Sequence, residues 1–294
     1  MVILTTLFRP FLWIILLVLY LLLAACSRPF FYPDQYIRLT PDKLGIDYHD
    51  INLKAKDGTR LHAWHLLPKT NVKAEIKAKG IVLVLHGNAE NISTHIHSIS
   101  WLPEAGYELL LLDYRGYGLS QGRPSLPNIL QDLESAAQWL SQRSQSQQLP
   151  AYWIGQSIGA SLSAYYLSHN NVEGLKATVL DAPLANYRHI GREKFSEFWL
   201  TTLFQYPLSW LIDNRYSPDK AVTEWPDIPL LIFSSSNDQV IPSHHTQQLL
   251  DQFPNKAKKK VKHIETYGPH LATYNYPLYR QKTLEFFEQY SGHY

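Results

Sequence analysis

Apolar and polar positions follow a clear rhythm after residue 45. Residues 48–55 and 60–67 read as extended runs, and the Asp57-Gly58 pair between them is a hairpin signal. Short runs that are almost wholly apolar follow at 81–85, 109–112, 151–154, 178–180 and 230–233, with a weaker one at 261–265. Runs of this kind suit strands buried on both faces of a sheet. Helical patterns lie between several of them, at 126–140 and 161–168. An antiparallel start followed by alternating strands and helices predicts an α/β fold with a mostly parallel, doubly wound sheet. No internal repeat is visible, and the polar patch SQRSQSQQ at 141–148 reads as a loop.

The N-terminus breaks this rhythm. Residues 11–23, FLWIILLVLYLLL, are uninterrupted apolar sequence, shorter than the ~20 residues that span a bilayer as a helix. That length fits the core of a signal peptide, with Arg9 as its basic flank. The closing quartet Leu23-Ala24-Ala25-Cys26 resembles the bacterial lipobox, in which the cysteine becomes the lipidated mature N-terminus. An uncleaved apolar anchor is the alternative. The resemblance implies a signal peptide at 1–25 and lipidation at Cys26. It also implies attachment to a membrane on the periplasmic side of a bacterial envelope, and Ser27 after the cysteine is compatible with outer-membrane sorting in a Gram-negative host. Residues 26–45, rich in proline and aromatics, read as a tether lying against a domain that spans 46–294.

Composition narrows the function classes. The chain has 294 residues, 45% of them hydrophobic and 18% charged, which is a globular balance. The formal net charge of +2 argues against nucleic acid as a partner. The basic run from Lys256 to Lys262 reads as a solvated loop or helix end. Cys26 is the one cysteine, so no intrachain disulfide can form. His95/His97 and His244/His245 are spaced by two and one, which does not set two ligands on one helical face. No metal site and no cofactor are therefore expected.

Candidate chemistry gathers at the carboxyl ends of the strands, where such sheets carry their sites. The run at 151–154 leads into Gly155-Gln156-Ser157-Ile158-Gly159, followed by small and apolar residues. A G-x-S-x-G turn between strand and helix is a nucleophile elbow, in which the glycines make room for a turn sharp enough to expose the serine. Ser157 is thus the candidate nucleophile, at the amino end of a helix. The amide of Ile158 is one candidate oxyanion donor.

With His86-Gly87-Asn88 after one strand and Asp113-Tyr114-Arg115-Gly116-Tyr117-Gly118 after the next, the chain resembles the small serine hydrolases of the α/β-hydrolase superfamily. The match runs from about residue 46 to the C-terminus. By that resemblance the second oxyanion donor is the amide of Asn88, with Ala89 behind it. The acid is Asp238, in the setting Asp238-Gln239-Val240-Ile241-Pro242, with Asp181 as the rival. The base is His270, behind Gly268. His86 reads as a structural residue and Asp113 as a turn-capping carboxylate. Residues 184–226, with apolar positions 195, 198, 199, 203 and 204 at helical spacing, are expected to form a helical cap over the site. Two helices packed on the sheet are the plainer alternative.

The resemblance implies a serine hydrolase that cleaves a carboxylic ester or thioester through an acyl-enzyme. The implied partner is a small acyl substrate. A peptidase of the same fold and a catalytically idle binding lipoprotein are the other readings.

Overall fold

The computed structural model describes residues 31–69 and 77–292. The expected signal peptide and Cys26 lie outside the described residues. Eight strands form one sheet: β1 (Tyr48–Lys54), β2 (Arg60–Leu66), β3 (Ile81–Leu85), β4 (Glu108–Leu112), β5 (Ala151–Gln156), β6 (Leu175–Asp181), β7 (Leu230–Ser235) and β8 (Val261–Thr266). Their order across the sheet is β1-β2-β4-β3-β5-β6-β7-β8. Strands β1 and β2 pair antiparallel, as do β2 and β4, and every other pairing is parallel.

The apolar runs are central strands because both of their faces are covered. In β3, Leu83 and Leu85 join one hydrophobic cluster while Val82 and Val84 join the other. The same alternation divides Trp153 from Tyr152 and Ile154 in β5. Helices α1 (Ile92–Ile99), α2 (Leu126–Gln147), α3 (Ile158–His169), α4 (Tyr187–Glu197), α5 (Gln205–Trp210), α6 (His244–Gln252) and α7 (Pro277–Tyr290) complete the layers. The edge strand β8 is half exposed, which explains its weaker apolar pattern.

The polar patch at 141–148 is not a loop. Helix α2 runs through it and ends only at Gln148, whose φ of 51° is left-handed. Ser and Gln are solvated there without breaking the helix. The buried Ser144 hydroxyl donates to Leu149 O at 2.6 Å and so satisfies the turn beyond. Arg143 in the same patch pairs with the buried Glu108 of β4 at 2.8 Å.

The segment before residue 46 is bound to the domain. Phe31 is buried in one core cluster, Ile37, Leu39 and Leu44 pack against the other, and Tyr32–Pro33 pairs in parallel with Ala89–Glu90. Among the described residues, no helix is long and apolar enough to cross a membrane.

Candidate active site

Strand β5 turns into α3 at Ser157, which has φ 54° and ψ −118°. A positive φ on a residue with a side chain is strained, and such strain persists only where its surroundings over-determine it. The flanking glycines supply that constraint. A Cβ on Gly155 would lie 2.6 Å from the Ala160 Cα and 2.7 Å from Gly159 O. A Cβ on Gly159 would strike the backbone oxygens of Leu85 and His86. The close packing of helix on sheet therefore requires both glycines, and it lifts the hydroxyl above the end of the sheet.

Three side chains from distant segments meet there. His270 Nε2 lies 2.9 Å from Ser157 Oγ, and His270 Nδ1 lies 2.6 Å from Asp238 Oδ2. The other oxygen of Asp238 accepts the backbone N–H groups of Val240 and Ile241 at 2.8 and 2.9 Å. Those two donors fix the direction of the carboxylate. Its side chain is 1% exposed and the His270 ring 17%. With Nδ1–H donating to Asp238, Nε2 is left as the acceptor for the serine hydroxyl.

Asp181, the rival acid, lies at the end of the neighbouring strand and points elsewhere. Its Oδ1 accepts the Thr273 hydroxyl at 2.7 Å, and its Oδ2 lies 3.4 Å from Gln156 Nε2. Burial pushes its carboxyl up to about 6, although its hydrogen bonds and the nearby His270 oppose that rise. Asp113 caps a turn, its Oδ1 accepting the N–H of Ile92 at 3.0 Å. His86 is buried with Nδ1 2.7 Å from Gly87 O, and burial holds its ring well below the usual imidazole range.

The two expected oxyanion donors flank the serine. Ile158 is the first residue of α3, so its N–H has no partner within the helix. Asn88 and Ile158 both line the cleft that contains Ser157. Two residues that motif reading passes over fix Asn88. The Tyr117 hydroxyl donates to Asn88 O at 2.7 Å, and the Tyr32 N–H donates to Asn88 Oδ1 at 3.0 Å. Tyr117 lies inside the D-Y-R-G-Y-G motif, so its motif was a usable signal. Nothing in the sequence of Tyr32 announces its role.

The cleft has a volume of about 320 Å³. Leu184, Ile190, Phe195, Ile212, Val240 and Ile241 give it an apolar lining, and among the described residues that line it Lys194 is the one charged side chain. Helix α4 forms one wall of the cleft through Ile190, Gly191, Lys194 and Phe195. The aromatic stripe of the insertion is not the inner face, however. Phe195 reaches the cleft, but α4 ends at Phe198, whose φ and ψ of −108° and 120° are extended. Beyond that break Trp199, Leu203, Phe204 and Trp210 face solvent, at 75%, 86%, 58% and 67% exposure. The periodicity of a continuous helix does not survive the break, so the stripe turns away from the core.

Three histidines also converge among the described residues. One ring nitrogen from each of His189, His244 and His245 lies within 4.8 Å of the other two. Sequence spacing within one element could not anticipate this, because His189 arrives on α4 from more than fifty residues upstream. The spacing His189-x-x-x-Glu193, one helical turn, was the available signal.

Comparison with known proteins bears on the family and the fold. The family model described as "Hydrolase_4: Serine aminopeptidase, S33" matches residues 76–226. The protein YfhR of Escherichia coli K12 is 32% identical over 238 residues, covering 81% of this chain and 78% of that one. Lysophosphatidylserine lipase ABHD12 of Danio rerio is 25% identical over 236 residues, covering 72% and 60%. Among solved structures, an esterase of Pyrococcus furiosus superimposes with a TM-score of 0.69 at 21% identity, over 90% of this chain and 99% of that one. An acylaminoacyl peptidase of Pyrococcus horikoshii gives 0.60 at 17% identity, over 85% and 42%. The chain belongs to the Hydrolase_4 (S33) family, and with its mostly parallel sheet, elbow and strand-end loops it is an α/β hydrolase.

Proposed function

We propose that the protein is a serine hydrolase that transfers the acyl group of a carboxylic ester or thioester to water. The observation that carries this reading is the unbroken hydrogen-bond chain from Asp238 through His270 to Ser157, at the floor of an apolar cleft. His270 Nε2 removes the Ser157 proton as Oγ forms its bond to the substrate carbonyl carbon. The oxyanion that develops meets the N–H groups of Ile158 and Asn88. Collapse breaks the bond to the alcohol or thiol, which leaves with the proton held on His270. Water then attacks the acyl-enzyme by the same route and releases a carboxylic acid. Asp238 keeps the imidazole in its working tautomer and steadies the imidazolium.

The apolar lining favours an acyl chain over a polar one. The lipase among the relatives supports an acyl lipid as the substrate class. We place the site beside a membrane, attached through a lipid on Cys26 at the periplasmic side of a bacterial envelope. The exposed crest of Trp199, Leu203, Phe204 and Trp210 supports this, since an apolar patch of that kind suits an interface.

A peptidase is the second reading, favoured by the family description and by one structural neighbour. An aminopeptidase needs a carboxylate to hold the free amino group of its substrate. Among the described residues that line the cleft there is none, and Lys194 carries the opposite sign.

A fluorophosphonate probe tests the nucleophile: wild type is labelled and Ser157→Ala is not. A panel of esters and thioesters graded by chain length, run beside aminoacyl amides, tests the substrate class. Turnover confined to the amides would overturn the ester reading. Incorporation of labelled palmitate by wild type, and not by Cys26→Ser, tests the anchor.

A further inference from the structure

A second cluster of polar side chains lies where α4 meets α6. Helix α4 carries His189 and Glu193 one turn apart, and α6 brings His244 and His245 up against them. Glu193 Oε1 is 2.8 Å from His244 Nε2 and 3.2 Å from His189 Nε2, and Oε2 is 3.2 Å from His245 Nε2. We propose that His189 Nε2, His244 Nε2 and the Glu193 carboxylate form a binding site for a divalent transition-metal ion of the zinc type, bridging the cap and the body of the protein.

The hydrogen bonds around the cluster set the ring tautomers. Gln248 Nε2 donates to Asp219 Oδ2 at 3.3 Å, which turns its Oε1 toward His189 Nδ1 at 3.2 Å. His189 therefore carries its hydrogen on Nδ1, and the Nε2 lone pair faces a Glu193 oxygen 3.2 Å away. A lone pair facing a carboxylate oxygen repels it unless a proton or a cation lies between them. Gln248 thus plays the part that outer groups play around metal-ligating histidines, where the remote ring N–H is tied to a fixed acceptor.

His245 has the opposite polarity. The N–H of Ala185 donates to its Nδ1 at 3.3 Å, so Nε2 carries the hydrogen and points it at Glu193 Oε2. That bond aims the carboxylate and leaves Oε1 toward the other two rings. His245 is thus a positioning residue and not a ligand.

Size and chemistry both fit. Tetrahedral ligands at ~2.0–2.1 Å from zinc are separated by ~3.3 Å, and Glu193 Oε1 lies 2.8 and 3.2 Å from the two proposed ring nitrogens. Two imidazoles and one carboxylate match zinc and its neighbours better than calcium or magnesium, which take oxygen. The His244 side chain is 52% exposed, which gives the ion a way in and leaves room for a water ligand. Helix α4 forms a wall of the cleft, and α6 follows the loop that carries Asp238. An ion here pins the cap helix to the segment beside the acid, outside the cleft itself.

The test uses the full chain, purified without a polyhistidine tag and stripped with a chelator. Zn²⁺ alone is titrated calorimetrically, and Co²⁺ is followed by visible absorption. The expected result is one Zn²⁺ per chain with a Kd of ~1 µM or tighter, a melting temperature raised by several degrees on binding, and the visible bands of low-coordinate Co²⁺. His189→Gln and His244→Gln should each weaken binding by about tenfold or more, while His49→Gln, on an exposed strand position, leaves it unchanged. Melting curves of the metal-free variants show whether each still folds. The proposal is overturned if wild type shows no saturable binding up to about 100 µM. It is equally overturned if the folded His189→Gln/His244→Gln double variant binds as wild type does.

Discussion

The Tyr117 hydroxyl donates to the backbone oxygen of Asn88 at 2.7 Å, with the Asn88 side-chain oxygen 3.1 Å away. Tyr117 is fully buried and Asn88 is half-buried. The bond holds the peptide on the far side of the residue whose N–H is proposed to meet the oxyanion. The donor would thus be fixed before substrate arrives, which is the condition for electrostatic stabilisation of a transition state. Tyr117→Phe keeps the ring and removes only the bond. Such a bond contributes about 1 kcal/mol, so kcat should fall about fivefold. KM for a short ester should stay near wild type. A rise in KM with kcat unchanged would show that Tyr117 shapes substrate binding instead.

The two candidate acids differ in what they face. Asp238 Oδ2 is bonded to the imidazole at 2.6 Å, and Asp181 is bonded to Thr273. Asp238→Asn presents an amide where a carboxylate held the ring and disturbs its tautomer, so kcat should drop about 10⁴-fold. Asp181→Asn keeps an oxygen for Thr273 and should lower kcat by less than about tenfold. Steady-state kinetics on p-nitrophenyl esters read both. Comparable losses in the two variants would mean that the acids share the work.

Asp181 also predicts a pH dependence of stability. Burial raises its folded carboxyl to about 6 from an ordinary value of 3.8. The folded state therefore binds the proton more tightly than the unfolded chain does. The resulting stabilisation is complete below about 3.8, fades as pH climbs toward 6 and is flat above. The span is at most about 3 kcal/mol. Asn does not titrate, so the stability of Asp181→Asn relative to wild type should rise between pH 4 and 6 and then level off. Urea melts at several pH values check this, and a constant difference would place the Asp181 carboxyl near its ordinary value.

The apolar crest gives a prediction about surfaces. Trp199 and Leu203 are 75% and 86% exposed and are not among the residues that line the cleft. Replacing both with serine should cut the partitioning of the protein onto anionic lipid vesicles by about tenfold. Turnover of a water-soluble short ester should not change. Sedimentation with vesicles and a soluble-ester assay separate the two effects. Unchanged partitioning would remove the crest from the proposed membrane contact.

Much of this architecture was legible in the chain. The central strands stood out because burial on both faces demands apolar residues at every position, whatever their neighbours. The elbow stood out because a turn that tight leaves room only for glycine at 155 and 159. The end of α2 was misread because Ser and Gln favour loops only weakly, and the Arg143–Glu108 contact that uses the last turns is made across 35 residues. The stripe at 195–204 was misread because one extended residue, Phe198, rotates everything after it off the expected face.

The sequence by itself determined which segments become strands, where the chain turns sharply, and which hydroxyl that turn exposes. These are consequences of local sterics and of the period of apolar residues. The tertiary structure decided that Asp238 and not Asp181 faces His270, that Tyr32 and Tyr117 brace Asn88, and that His189 and Glu193 meet His244 and His245. Each of those is a meeting of side chains far apart in sequence, and the distance between them depends on how helices and loops pack on the sheet, which no local pattern encodes.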